Sequence, residues 1–69
     1  MKTLTNLQKT LLRIFRHIGM PSVDAGAVSL VLTKRDLEQE MLDWLMENPL
    51  STPQDVLDQL CLMIRAQKT

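Results

Sequence analysis

The chain of 69 residues predicts an all-α fold, a small compact bundle of about four helices. Three observations carry that expectation. Apolar residues recur at three- and four-residue steps in four separate segments, the spacing of one helix face. Gly, Pro, Ser and Thr stand at the joints between those segments, where helices start and stop. Sheet-building residues are scarce: the aromatics are Phe15 and Trp44 alone, there is no Tyr, and the β-branched residues form no alternating runs.

Leu4, Leu7, Leu11, Ile14 and Ile18 share one face of a first helix, at about residues 4–18. Gly19 suits the position just past a helix C-terminus, and Pro21 forbids continuation. Ser22 then reads as the N-cap of a short second helix, at about residues 23–32, with Asp24 in its first turn where the helix dipole favours a carboxylate. The segment "VDAGAVSLVL" is apolar nearly all round, which predicts burial on most sides. "VSLVL" would also suit a strand, but a single short strand would find no pairing partner in this chain. Gly26 costs roughly 1 kcal/mol relative to Ala inside a helix, and close approach of a neighbouring helix is the expected return.

Thr33 reads as the N-cap of a third helix, about residues 34–47, with Asp36 at N3 and Asn48–Pro49 as the stop. Thr52, Pro53 and Asp55 open a fourth, about residues 53–66, with Pro at N1 where its missing N–H costs nothing. Val56, Leu57, Leu60, Met63 and Ile64 form its apolar stripe, and Cys61 is expected to be buried at the stripe's edge. No repeat, low-complexity stretch or linker interrupts the chain, so residues 1–69 form one domain.

An apolar content of 45% with 23% charged residues is that of a folded globular chain rather than a disordered one. A domain this short buries only about 60% of its unfolded surface and usually needs a staple. Cys61 is the one cysteine and His17 the one histidine, so neither an internal disulfide nor a metal site is expected. Tight helix packing or a partner subunit remains. The N-terminal residues carry no continuous apolar region of a signal peptide. The longest apolar run, "AGAVSLVL", is far shorter than the ~20 residues a membrane span requires. With an unpaired cysteine, the expected location is cytoplasmic, without membrane association.

The segment "DLEQEMLDWLMENP" is apolar on two sides. Leu37, Met41, Trp44 and Leu45 fall in one arc, the expected core stripe, and Asp36, Glu40, Asp43 and Glu47 form an acidic ridge on its flank. Leu42 and Met46 point away from the core stripe and need another neighbour. Either a second helix of the bundle covers them, or they belong, with Leu62 and part of the second helix, to a patch covered by a partner chain. The partner-binding candidates are therefore Leu42, Met46 and Leu62.

Net charge is zero, unevenly placed. Residues 1–20 carry Lys2, Lys9, Arg13 and Arg16 with no acid, whereas residues 34–48 carry two bases and five acids. Lys9, Arg13 and Arg16, with His17 alongside, form a face for an anion or an acidic partner, or simply a solvated helix face. No Gly-rich phosphate loop, Walker pattern, EF-hand loop, "GxSxG" or "HExxH" occurs, so no enzyme chemistry, cofactor or small-molecule substrate is read. The expected function is a non-enzymatic helical protein–protein interaction or regulatory module, with a homodimer as the most economical partner. The alternative is a small DNA-binding regulator, with a helix-turn-helix-like element formed by the second and third helices, Lys34 and Arg35 at the start of the recognition helix, and a basic first helix. It is the weaker reading: net charge is zero, and the rest of that helix is acidic and repelled by phosphates.

Overall fold

A computed structural model describes residues 5–67. Leu4, the first residue of the predicted stripe, and Lys2 lie outside the described residues. Four helices follow one another: α1 (Asn6–His17), α2 (Ser22–Arg35), α3 (Glu38–Glu47) and α4 (Pro53–Gln67). The predicted all-α bundle is thus the observed one, with two of its joints placed differently; α2, expected to be short, has 14 residues, and α3, with 10, is the shortest.

α1 opens on a capping box. The Gln8 N–H donates to Thr5 Oγ1 at 3.1 Å, and the Thr5 N–H donates to Gln8 Oε1 at 2.9 Å. It closes as the sequence predicts. Gly19 adopts φ 95°, the Met20 N–H donates to the Phe15 carbonyl at 2.9 Å, and the Gly19 N–H donates to that of Arg16 at 3.1 Å. This is a Schellman turn, and its usual hydrophobic contact is present: Met20, just past the turn, is buried in the same core as Phe15.

α2 starts differently from expectation. Pro21, not Ser22, is the N-cap, at φ −59° and ψ 148°, and Ser22 is already helical. The Pro ring holds the extended cap geometry, and the Pro21 carbonyl takes the first helical bond from the Ala25 N–H at 2.8 Å. The helix also continues through Thr33, Lys34 and Arg35, so the third helix begins at Glu38 and not at residue 34. Thr33 is not an N-cap. Its hydroxyl donates to the Ser29 carbonyl at 3.0 Å and accepts from Gln8 Nε2 at 2.9 Å, tying the last turns of α2 to the first turn of α1.

The chain reverses at Asp36, which takes the left-handed conformation at φ 57° and ψ 43°. The Leu37 N–H reaches the Leu32 carbonyl at 2.9 Å and the Asp36 N–H that of Thr33 at 3.4 Å, a second Schellman turn. Leu37 and Leu32, the residues such a turn brings together, are both buried. Their burial explains why the break comes after Arg35, where Lys34 and Arg35 also complement the helix dipole.

Asn48 ends α3, its side-chain Nδ2 donating to the Trp44 carbonyl at 2.8 Å. α4 begins as the sequence predicts. The Asp55 N–H donates to Thr52 Oγ1 at 3.2 Å, and the Thr52 N–H donates to Asp55 Oδ2 at 3.0 Å. At its far end Gln67 Nε2 donates to the Arg35 carbonyl at 2.7 Å, occupying an acceptor that the end of α2 leaves open.

α2 packs against each of the other three helices, and α1 also packs against α3. The core takes Leu11 and Phe15 from α1, Ala25, Val28 and Leu32 from α2, Met41 and Leu45 from α3, and Val56, Leu60 and Met63 from α4, closed by Met20 and Leu37 from the turns. Trp44, expected in the core stripe, is only half-buried against this cluster, and Cys61, expected to be buried, is exposed. α4 buries the arc of Val56, Leu60 and Met63, and Cys61 lies well round the helix from it.

The turn at Asp36 yields a stability prediction. A β-branched residue in the left-handed region costs roughly 1–2 kcal/mol, whereas Gly adopts it freely. Asp36→Val should therefore lower the melting temperature by about 4–16 °C, using 4–8 °C per kcal/mol for a domain of this size. Asp36→Gly should not lower it. Equal losses in both variants, read by circular dichroism, would show that the carboxylate and not the backbone angle matters there.

Candidate interaction surfaces

Helix α2 is apolar on two sides, and the fold fills only one of them. Ala25, Val28, Ser29 and Leu32 face the core. At about 100° per residue the opposite line holds Val23, Ala27, Leu30 and Lys34, with Gly26 on the flank beside Leu30. All five are exposed, Val23 at 83% and Leu30 at 58%. This corrects the expectation that α2 is buried on most sides. α1, α3 and α4 dock on one half of it, and no further helix among the described residues is available for the other half.

Gly26 sharpens the point. A Cβ placed there would meet nothing within 4 Å, so among the described residues no close approach calls for a glycine. The close helix approach expected at Gly26 is not found among the described residues.

The structure separates the residues that the sequence grouped as one partner patch. Leu42 is half-buried and packs against the core. Met46 is 71% exposed and turns towards α1. With Ile14, Ile18, Leu45 and Pro49 it forms a groove of about 450 Å³ whose remaining lining residues are Arg13 and His17. Leu62, 57% exposed, lies in a different hollow with Trp44, Leu50 and Asp58. Lys9, Arg13, Arg16 and His17 are all exposed and share a shallow basic surface over Leu12. The apolar candidate Met46 and the basic candidates Arg13 and His17, 33 and 29 residues away in the chain, therefore meet in one groove.

Lys34 and Arg35 lie in the last turn of α2, whereas α3 opens with Glu38 and Glu40. One Glu38 carboxylate oxygen is buried with no hydrogen-bond partner. Among the described residues no three His, Cys, Asp or Glu side chains are grouped so as to hold a metal ion. No helix there is long and apolar enough to cross a membrane.

Sequence reasoning passed over Val23, Gly26, Ala27 and Leu30 as individual site residues. The signal was present: they recur at steps of three, one and three opposite Ala25, Val28 and Leu32. Helices on one side of α2 leave the other side bare. No family model, curated protein or solved structure matches this chain.

Because Gly26 is helical, exposed and unopposed, Gly26→Ala should stabilise the isolated chain by roughly 0.5–1 kcal/mol. Urea unfolding at low micromolar protein measures this. A loss of stability at that dilution would mean that a neighbour already occupies the space above Gly26 within one molecule.

Proposed function

We propose that this protein is a non-enzymatic interaction module that acts as a homodimer, with the outer face of α2 as the contact between two copies. The observation that carries this reading is the exposed Val23–Gly26–Ala27–Leu30 stripe on a helix whose opposite side is already packed. A small single-core domain gains the stability it lacks by covering such a stripe.

The stripe suits a second copy of itself. In an antiparallel two-fold pair, residues on the same flank of each helix face one another. Gly26 and Leu30 share a flank, so pairing centred near Val28 sets Leu30 of each copy over Gly26 of the other. The missing Cβ then makes the hollow that receives a leucine. Asp24 and Arg35 share the opposite flank, with Lys34 between the two, so the acidic start of each helix lies near the basic end of the other. The helix dipoles are also opposed favourably. Parallel pairing would instead bring Lys34 beside its own copy.

A protein partner is favoured over DNA because Lys34 and Arg35 close α2 rather than open α3, and the first turn of α3 is acidic. A cytoplasmic location belongs to the same reading, supported by the exposed, unpaired Cys61, which a reducing compartment keeps as a thiol.

Sedimentation across a concentration series tests the dimer. The expected result is a monomer–dimer equilibrium with a dissociation constant on the order of micromolar. Leu30→Glu should leave a folded monomer, and Gly26→Ala should weaken association at least severalfold while stabilising the monomer. Asp24→Arg should weaken it too, and pairing that change with Arg35→Asp should restore it, as the antiparallel register requires. A wild-type chain that stays monomeric at several hundred micromolar would sink the proposal.

A further inference from the structure

We infer that the groove between α1 and α3 receives an acidic amphipathic helix from another protein. The inference uses no α2 residue and stands independently of the dimer contact. Its floor is apolar: Ile14 and Ile18, one turn apart on α1, line it with Leu45 and Met46 of α3 and Pro49. Arg13 and His17, also one turn apart, are the polar residues that line it, and no acid does. Lys9 and Arg16 extend the positive charge along the rest of the exposed face, and no acidic residue occurs anywhere in α1.

An apolar floor beside a basic rim selects its ligand by charge and shape together. A helix that places a leucine-sized side chain on the floor and two carboxylates one turn apart against Arg13 and His17 satisfies both. Nucleic acid would use the cations and leave the floor unfilled, because phosphates offer nothing apolar to Ile14, Ile18 and Met46. Met46, unbranched and 71% exposed, can adjust to the shape of the entering side chain.

The probe is a synthetic amphipathic helical peptide of Leu and Glu, titrated into protein carrying ¹³C-labelled methionine methyls. Saturable shifts are expected at the Met46 methyl and not at the buried Met41 and Met63. The same peptide with Lys in place of Glu should bind at least tenfold more weakly. Arg13→Glu should cost about tenfold or more in affinity, as loss of a charge partner does at an interface. Met46→Asp, at an exposed position, should remove binding without unfolding the chain. Leu30→Glu should leave binding intact, and sedimentation of the same samples reads the dimer separately. Three outcomes would overturn the inference: an unmoved Met46 methyl, equal affinity for the two peptides, or loss of binding in Leu30→Glu. Competition by duplex DNA that depends on Arg13 but not on Met46 would also overturn it, by making the surface a phosphate contact.

Discussion

Burial of one side of α2 holds the bundle together. Ala25, Val28 and Leu32 form the strip against which α1, α3 and α4 are laid, and Leu32 is wholly enclosed with Leu11, Phe15, Met41 and Val56. Each such leucine or phenylalanine contributes about 1.5–3 kcal/mol relative to an exposed one, more than any single polar contact at the surface. The connections on either side of α2 serve the same burial. At Gly19–Met20 and again at Asp36–Leu37 the chain reverses through a left-handed residue, and the next residue goes into the core. Gln8 on Thr33 and Gln67 on the Arg35 carbonyl then tie the last turns of α2 to α1 and α4.

Loading α2 from one side leaves its other side uncovered. The same sequence that makes it a core helix leaves Val23, Ala27 and Leu30 in solvent, and Gly26 without a neighbour among the described residues that explains it. On the reading proposed above, the chain offers two contact surfaces of different character. One, on α2, is apolar and complementary to itself. The other, between α1 and α3, is apolar at its floor and basic at its rim. They lie on different helices, so each can be altered without touching the other.

Much of the architecture was legible because its signals are local. The stop at Gly19 and the cap at Thr52 depend on residues within one turn of each other, and the structure has both where the sequence put them; the stripe of α1 faces the core, with its buried centre at Leu11 and Phe15. The joint between α2 and α3 was not legible for the same reason. Thr33 with Asp36 three residues later satisfies a capping pattern on local grounds. The competing turn at Asp36 wins only because Leu37 packs into the core with Leu32, and because Gln8, 25 residues earlier, engages the Thr33 hydroxyl.

The sequence by itself determined the all-α fold and the number of helices, because periodicity and capping act over a few residues. Only the tertiary structure decided which apolar residues remain uncovered. Val23 and Val28 look alike in sequence, and one is 83% exposed and the other 4% because neighbouring helices pack on one side of α2. The meeting of Met46 with Arg13 and His17 likewise exists only once α3 lies against α1. A groove between two helices is a property of their packing and has no local signature in either one.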